Sequence, residues 1–402
     1  MPATLTTADA ALKEDYQPVI REQLNNGNKL LSQLEKNTHD VEGRRAVLSL
    51  HTSRNSGVGN RAESATLPTP GNQGYQEERV PVKYAYGQIK VTGPVIRASK
   101  SDKGSFTRQL DAETKGVVAD LKRDVNRQLF GTSNGVVATC GTTTASTTVV
   151  LATTTTATQL RQIADLGVID IGTVAAPTMI ASARTITSID TANKTLVISG
   201  AAVTTSASHF LFKSGSGGVG IEFTGLQTIV ASTGSLYNVD PATVPLWAST
   251  VADNSGTNRA VSDTLFEKMI NDIEIASGEE ADLIVTTAGV NRGYAASLKS
   301  LRRFSNTIEL KGGFKVPTVQ TGTVEIGLMW DRDCKENTAY VLNTKHLTEY
   351  MESDWEFMQE DGAVLQRALD GSDAYQATLF KYMDVMTDRR NTHGVIKDLT
   401  ES

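Results

Sequence analysis

The strongest hydrophobic pattern in the chain lies between Ser105 and Phe130, where apolar side chains recur on one face of a helix. That stripe consists of Leu110, Val117, Leu121, Val125 and Leu129. Ser105 can cap the start of this helix, and Gly131 can end it. About 26 residues at about 1.5 Å each give a rod of roughly 39 Å. This length is typical of a structural spine rather than of a helix inside a compact domain.

A second helical pattern predicts an amphipathic arm over residues 1–43. Between Thr6 and Lys36, apolar residues recur every four positions and resume after a break at Gly27. The apolar positions are Leu12, Tyr16, Ile20, Leu24, Leu31 and Leu34. The pattern leaves two interpretations open: a helix packed on its own domain, or an arm packed on a neighbouring copy.

The helical period disappears between Arg44 and Gly93, where Ser, Asn and Gly dominate the composition. Ordering about 30 such residues costs on the order of 30 to 60 kcal/mol of backbone entropy. The large apolar side chains here are Leu50, Val58, Leu67 and Tyr75. Their full burial could return only roughly 6 to 12 kcal/mol. The tract is therefore either disordered or ordered by another chain.

The end of this tract has the pattern of a strand, which argues against a simple linker. The alternating apolar positions are Val80, Val82, Tyr84 and Tyr86. The phase then shifts at Gly87 and continues at Ile89 and Val91, as a β-bulge would require. We therefore predict a long two-stranded excursion. With about 20 residues per arm at about 3.3 Å each, it could project up to roughly 65 Å.

Residues 135–218 predict a small all-β domain. Of the 20 residues from Thr139 to Thr158, 11 are threonine, a β-branched residue favoured in strands. Short strand candidates follow at residues 168–171, 185–189, 196–199 and 209–212. The run ITSIDTANKTLVIS predicts a hairpin whose turn is Thr191 to Lys194.

The rest of the chain has a mixed pattern, which places the fold in the α+β class. Helices are predicted from Ser262 to Ser277 and from Val290 to Phe304, and DLIVTT between them reads as a short buried strand. One such strand and helix pair does not make a doubly wound sheet. Period-two alternation returns in AYVLNTKHLTEYM, GAVLQRAL and AYQATLFKYMDVM, which predict an antiparallel meander.

Composition limits the partners and the compartment. The 402 residues include 39 Lys and Arg against 45 Asp and Glu, a net charge of -6, so no global basic field attracts nucleic acid. The two cysteines, Cys140 and Cys334, are too far apart in unrelated contexts for a disulfide framework or a metal knuckle. No export signal and no long apolar run are present. We expect a non-membrane protein made in a reducing cytoplasm.

Two glycine-containing motifs invite a catalytic or nucleotide-binding interpretation. GTSNG fits the G-x-S-x-G pattern in which Ser133 would be a nucleophile, but a helix precedes it where the pattern requires a strand. GSGGVG at residues 215–220 matches a dinucleotide fingerprint only loosely, and no helix follows to meet a pyrophosphate. A helix-ending turn and an inter-domain joint are the simpler interpretations.

Three further groups of polar residues have structural interpretations that require no chemistry. The five histidines, which lack ligand spacing, are His39, His51, His209, His346 and His393. The carboxylates that read as a solvated strand face are Glu349, Glu352, Asp354, Glu356, Glu360 and Asp361. The cations that read as a solvated helix face are Lys299, Arg302 and Arg303. We therefore predict no catalytic, cofactor-binding or metal-binding residues, and no enzyme.

Several runs of sequence, taken in order, carry a resemblance to a known family. These are GRRAVLSLHTSRNSGVG, FTRQLDAETKGVVADLKRDVNRQLFG, GLQTIVASTGSLYNVDPATVPLW, SLKSLRRFSNTIELKGGF and LFKYMDVMTDRRNTHGV. Together with the succession of arm, extended loop, spine helix, mixed domain and meander, they resemble a tailed-phage major capsid protein of the Hong Kong 97 type. The resemblance spans most of the chain except about residues 135–218, and its weight lies in the succession rather than in one motif.

The resemblance implies a domain map. Residues 1–43 would be an arm beneath adjacent subunits, and 44–93 an extension loop over a neighbour. Residues 94–134 with 346–402 would form the peripheral domain and 219–345 the axial domain, with 135–218 an inserted all-β domain. Neighbouring copies would then supply the contacts that order the loop.

The same resemblance implies a function. The protein would assemble into pentamers and hexamers of an icosahedral shell around phage double-stranded DNA, made in the host cytoplasm and found in the virion. Its partners would be further copies, a scaffolding protein, a portal and decoration proteins, with no cofactor. An encapsulin-like compartment is the close alternative, and a serine hydrolase using Ser133 is the alternative from another class.

Two departures from the family pattern carry expectations. Some relatives have an amino-terminal scaffolding segment of about a hundred residues, whereas only 43 residues precede the loop here. A separate scaffolding protein or prior cleavage is implied. Some relatives also join a loop lysine to the next subunit, but no lysine lies between Arg44 and Val82. We expect no covalent cross-link from the loop tip.

Overall fold

The structure, a computed structural model, describes residues 28–38, 41–42, 45–94, 103–174, 178–218, 220–300, 307–311, 314–320, 325–359, 364–368 and 371–401. Its helices are α1 Lys103–Leu129, α2 Ala157–Leu166, α3 Leu226–Ile229, α4 Asp263–Ser277 and α5 Ala288–Ser300. None of the helices described could cross a membrane, because none is both long and apolar enough.

The strands of the first half are β1 Glu35–Asn37, β2 Val41–Glu42, β3 Arg45–Ser53, β4 Gly74–Pro81, β5 Lys83–Thr92, β6 Val136–Thr139, β7 Thr143–Ser146, β8 Thr148–Val150, β9 Val168–Gly172, β10 Met179–Asp190, β11 Thr195–Ile198, β12 Val203–Thr205 and β13 Phe210–Lys213. Those of the second half are β14 Thr250–Ala252, β15 Leu283–Thr286, β16 Thr307–Leu310, β17 Phe314–Gln320, β18 Glu325–Trp330, β19 Ala339–Leu342, β20 Leu347–Phe357, β21 Gln366–Arg367, β22 Ala374–Thr387 and β23 Gly394–Ile396.

One five-stranded sheet, the peripheral sheet, is built around β22. This strand pairs antiparallel with β20, β21 and β5, and β1 joins the far edge of β20 in parallel. The spine helix α1 packs on β5, and its inner stripe of Val118, Leu121, Val125 and Leu129 is buried in the main core. The predicted spine is therefore confirmed, although it begins at Lys103, so Ser105 lies inside the helix rather than at its cap.

The predicted bulge at Gly87 is wrong. The burial pattern changes phase at Val82 and Lys83, which are both buried, and Tyr84 and Tyr86 are each 52% exposed. A Cβ on Gly87 would lie 2.5 Å from the Leu121 side chain of α1. The glycine is therefore present because the helix crosses close to the strand, not because the strand bulges.

A seven-stranded mixed sheet, the axial sheet, has the order β14-β23-β19-β15-β18-β17-β16. Helix α4, which was predicted from Ser262 to Ser277 and is capped by Ser262, covers this sheet with Phe266, Met269 and Ile273 buried. The assignment of residues 346–402 to the peripheral domain needs correction, because β23 lies between β14 and β19 of the axial sheet. The predicted meander is likewise divided, since β19 belongs to the axial sheet and β20 to the peripheral one.

The boundary at residue 219 also needs correction. Residues Phe223 to Val230 lie in the main core beneath α1, and Leu236 to Trp247 pack against β4, β20 and β22. This segment contributes little to the core beneath α4 and instead fills the space between the peripheral sheet and the base of the β3–β4 hairpin.

The inserted module between residues 135 and 218 contains a six-stranded sheet and a two-stranded sheet, and its predicted hairpin from Asp190 to Thr195 is confirmed. It also holds α2, which the threonine-rich composition concealed. A complete capping box starts that helix, because the Thr156 hydroxyl accepts from the backbone N–H of Gln159 and the Gln159 amide oxygen accepts from that of Thr156.

The amino-terminal arm is only partly within the described residues, since residues 1–27 lie outside them. The predicted helix does not extend to Lys36: Leu31–Gln33 is a single 3₁₀ turn, and Glu35–Asn37 forms β1. Leu30, Leu31 and Leu34 are buried in the main core. This part of the chain therefore packs on its own subunit.

Candidate functional site

The antiparallel pair β3 and β4 forms a hairpin, here called the extension hairpin, that leaves the body of the subunit. Its ladder runs from Arg45 opposite Pro81 to Ser53 opposite Gly74. Nine residues at about 3.4 Å span about 30 Å, so the paired arms are shorter than predicted. At the neck of the loop that follows, the Asn55 side-chain oxygen accepts from the N–H groups of Gly57 (2.6 Å) and Gly71 (3.2 Å).

The extension hairpin exposes large apolar side chains. Val58 is 85% exposed, Leu67 81%, Tyr75 67% and Val47 50%. None of the residues from Arg54 to Gln73 is buried. Contacts within the subunit therefore do not compensate the cost of ordering this loop, as the sequence predicted.

The base of the hairpin is fixed to the body. The Arg79 N–H donates to the Tyr237 carbonyl at 3.1 Å, and the Gln76 amide donates to the Asn238 carbonyl at 3.3 Å. The Tyr237 hydroxyl in turn donates to the Val385 carbonyl of β22. The hairpin is thus a projecting element with a rigid base and a tip that the subunit itself does not cover.

Ser133 lies beside a buried lysine where α1 ends. Lys83 donates to the Ser133 hydroxyl at 2.8 Å and to the Thr224 hydroxyl at 2.9 Å, and its ammonium is 3.2 Å from Asp384. The Ser133 hydroxyl donates to the Glu222 carbonyl at 3.1 Å. Burial raises the pKa of Asp384, and the charge of Lys83 opposes that rise.

A second buried charge network lies where the inserted module joins α1. Arg127 contacts Glu222 and lies 3.0 Å from Asp124, and Lys213 of β13 lies 2.7 Å from Asp124. Burial alone would raise the pKa of Asp124, but Arg127 and Lys213 outweigh it and lower the pKa. Gly215, Ser216 and Gly220 of the glycine run line a cavity together with this network. The helix that follows, α3, has only four residues.

The inserted module is attached at a second place through α2. Arg161 is 2.5 Å from Asp333, and Arg332 is 3.1 Å from Asp165. Asn126 of α1 donates to Asp333 at 2.7 Å, which joins the spine helix to the same group. The module is therefore held at two separated points rather than hanging from one linker.

The histidines of the described residues do not gather into a metal site. His346 lies 2.8 Å from Asp388 and 2.6 Å from Glu279, and these carboxylates raise its pKa. His393 is fully buried, and burial lowers its pKa to about 3. His51 and His209 are elsewhere, and His39 lies outside the described residues. Across the described part of the chain, no group of three or more metal-ligating side chains occurs.

The sequence suggested that the carboxylates from Glu349 onward form a solvated face of a strand. The structure shows that they do not all face the solvent. Glu349 and Lys381 are both completely buried and form an ion pair, and Asp354 lies 3.3 Å from the same ammonium. Glu352 is exposed, and Glu360 and Asp361 lie outside the described residues. The cations predicted to form a solvated helix face lie outside the part of the chain that the structure describes. They are Arg302, Arg303 and the side chain of Lys299.

Sequence analysis missed the buried charged residues at the base of the extension hairpin. Glu78 is 1% exposed and Lys83 4%. One indication was present: Glu78, Val80 and Val82 share one period-two phase, so a carboxylate stood in line with two valines predicted to be buried. The partners of Lys83 are 50 or more positions away in the chain and left no comparable pattern.

No family model matches the sequence, and no curated protein matches it. Solved structures do match. A chain of the cyanophage A-1(L) capsid asymmetric unit is 15% identical, with 93% of each chain covered and a TM-score of 0.55. A chain of Mycobacterium phage Bobi is 8% identical over 100% of each chain, with a TM-score of 0.45.

An encapsulin complex from Synechococcus elongatus PCC 7942 also matches, at 8% identity over 92% of this chain and 86% of that chain, with a TM-score of 0.42. The cyanophage likeness extends over nearly the whole chain. The chain therefore has the Hong Kong 97-type fold of tailed-phage major capsid proteins.

Proposed function

We propose that the protein is the major capsid protein of a tailed bacteriophage, a structural protein rather than an enzyme. Its copies self-assemble into pentamers and hexamers of an icosahedral shell that encloses double-stranded DNA. The observation that carries the proposal is the extension hairpin, which exposes Val58 and Leu67 at the end of a ladder of about 30 Å. In a fold shared with a phage capsid chain, neighbouring copies are the natural cover for those side chains.

The proposal includes partners and a location. A separate scaffolding protein, a portal and decoration proteins are expected around the shell, which is assembled in the bacterial cytoplasm and becomes part of the virion. DNA is enclosed without sequence-specific contacts, which agrees with the net charge of -6. No membrane is involved.

The alternatives differ in what they predict. An encapsulin-like compartment would have the same subunit but would enclose an enzyme rather than DNA. A serine hydrolase would need a base to activate Ser133. Lys83 donates to the Ser133 hydroxyl rather than accepting from it, and that hydroxyl already donates to the Glu222 carbonyl.

The first experiment measures the mass and radius of gyration of the purified chain by light scattering and small-angle X-ray scattering, with negative-stain microscopy of heavy fractions. Rings of five or six copies, or closed shells, are expected. One globule of this length would have a radius of gyration of about 21 Å. A compact monomer with that radius of gyration would contradict the proposal.

A variant then tests the hairpin directly. Val58→Ser combined with Leu67→Ser is expected to abolish rings and shells while leaving the melting temperature of the subunit unchanged, because both side chains are more than 80% exposed in the isolated chain. Ile180→Ser, at a residue 41% exposed on the inserted module, is the matched control and should still assemble. Assembly of the double variant at the wild-type concentration would contradict the role of the hairpin.

A further inference from the structure

A cleft of about 480 Å³ lies between the extension hairpin and the body of the subunit. Leu48 and Leu50 of β3 form one wall, and Val244, Leu246 and Trp247 form the other. The turn at Asp388 to Asn391 and the end of α4 close the remaining sides. The cleft thus has mostly apolar walls and opens beside the element that the proposed function uses for assembly.

Glu78 projects from β4 into this cleft and is only 1% exposed. Its Oε1 atom is enclosed and has no hydrogen-bond partner. Burial, with the nearby charge of Asp388, raises the pKa of Glu78 to about 9. A buried carboxyl without a partner is unusual in a folded protein and calls for an explanation.

The charged neighbours of Glu78 are already engaged. Asp388 is held by His346 at 2.8 Å, and Arg389 contacts Glu279. Arg54, which also lines the cleft, is exposed. With its pKa raised to about 9, Glu78 is uncharged near pH 7 in the isolated chain. A cation that entered the cleft would favour release of the Glu78 proton to solvent and would form an ion pair with the resulting carboxylate.

A second unsatisfied group lines the same cleft. The indole N–H of Trp247 is buried without an acceptor. An orphaned acceptor and an orphaned donor together suit a peptide segment that brings a cationic side chain and a backbone carbonyl. Leu246, which lines the cleft and is 57% exposed, provides apolar surface at its opening.

We propose that this cleft receives an arginine or lysine side chain from a second copy of the chain, which pairs with Glu78. The occupant is inferred from charge complementarity and from the position of the cleft beside the extension hairpin. The inference rests on the proposed self-assembly. The existence of a cation site next to Glu78 does not depend on the proposed self-assembly.

Two measurements test the inference on the full chain. Glu78→Gln keeps the shape of the side chain and removes its ability to ionise, and is expected to raise the concentration needed for assembly at least about thirtyfold, as for loss of one partner of a buried charge pair. Glu77→Gln is the matched control, because Glu77 is about half exposed on the opposite face of β4 and should leave assembly unchanged.

The second measurement uses a small probe on unassembled subunits. N-acetyl-arginine amide at millimolar concentration is expected to raise the melting temperature of the wild-type chain and not that of Glu78→Gln, whereas the uncharged N-acetyl-citrulline amide should raise neither. Binding of the probe only after Arg54→Gln would mean that the chain's own Arg54 fills the cleft, and would overturn the inference. So would equal assembly of Glu78→Gln and the wild type.

The two proposals fail in different ways. If the wild-type chain forms no assemblies but the arginine probe binds in a Glu78-dependent manner, the proposed function is contradicted and the cation site stands. If shells form and neither the probe nor Glu78→Gln has an effect, the proposed function stands and the cleft is not a contact between copies.

Discussion

At the scale of single residues, buried polar groups determine how this subunit responds to pH. His393 is fully buried, its Nδ1 accepts from the Asn343 N–H at 3.3 Å, and its Nε2 donates to the Thr387 hydroxyl at 2.9 Å. A second proton would have to enter at Nδ1, where an N–H already points. The neutral ring is therefore the form that the fold accepts.

This gives a prediction for acid stability. The pKa of His393 falls from 6.5 to about 3 on folding, so the unfolded chain binds more protons between these values and stability declines as pH falls through that window. His393→Gln should be less stable than wild type at about pH 7 and should lose less stability between about pH 7 and about pH 5. Urea unfolding midpoints at the two pH values measure both effects.

The comparison for this prediction is His51→Gln, because His51 is exposed on the extension hairpin. This control should keep the full decline of the wild-type protein in acid. An equal decline in the His393→Gln variant would show that the buried ring is not the group responsible.

At the scale of elements, the contact between α1 and β5 depends on one position without a side chain. A Cβ at Gly87 would approach the Leu121 side chain to 2.5 Å and the Val117 side chain to 2.8 Å, whereas a Cβ at Gly116 would meet nothing within 4 Å. The two glycines therefore have opposite reasons to be in the chain. Gly87 leaves room for α1 to pack on β5, whereas Gly116 makes the helix less stable than alanine would at the same position.

Alanine at these positions should change stability in opposite directions. Gly87→Ala is expected to destabilise the subunit by about 1 to 3 kcal/mol through overpacking. Gly116→Ala, the matched control, is expected to stabilise it by about 0.5 to 1 kcal/mol. Urea denaturation of both variants tests the pair. A stabilising Gly87→Ala would mean that α1 can move away from β5 without cost.

The sequence predicted the positions of helices and strands better than it predicted which elements they pack against or pair with. The periodicity of α1 and α4 is long enough to fix a helix and its inner face, and both were predicted to within two residues. Tyr84 and Tyr86 were assigned to the wrong face because alternation alone cannot show where a strand slips. Helix α2 was missed although Thr156 and Gln159 carried a capping box, since the threonines around them favour strands.

At the scale of the whole molecule, the inserted module behaves as an attached part rather than a free one. Arg161 with Asp333 and Arg332 with Asp165 hold α2 against the axial region, while Lys213 with Asp124 holds the other end against α1. The arginine pairs are partly exposed, so each contributes about 1 kcal/mol or less. Together they keep the module in one orientation.

Breaking the outer attachment should loosen the module without unfolding it. Arg161→Gln combined with Arg332→Gln is expected to speed hydrogen exchange in α2 and in the joint at residues 214–218, and to leave the β10–β11 hairpin protected. Lys268→Gln, which removes an exposed pair with Asp272 on α4, is the control and should change neither region. Uniform exchange across the module in the double variant would indicate unfolding instead.

Whole-chain topology was the part least accessible from sequence. The α+β class and the extended loop followed from patterns within short segments, whereas the place of β23 in the axial sheet depends on pairings across many residues. The same holds for the candidate site. Exposed Val58 and Leu67 followed from composition, but the cleft around Glu78 is made by four segments that the sequence does not connect.

The position of β23 has a consequence for the timing of folding during translation. Residues 394–396 leave the ribosome after all the other strands of the axial sheet, and they fill the place between β14 and β19. Until they emerge, β14 has no partner in that sheet and β19 has an open edge. The extension hairpin is synthesised much earlier, yet Met386, part of the core at its base, also arrives late. A nascent chain therefore cannot complete either the axial sheet or the core at the base of the extension hairpin until these late segments have been synthesised.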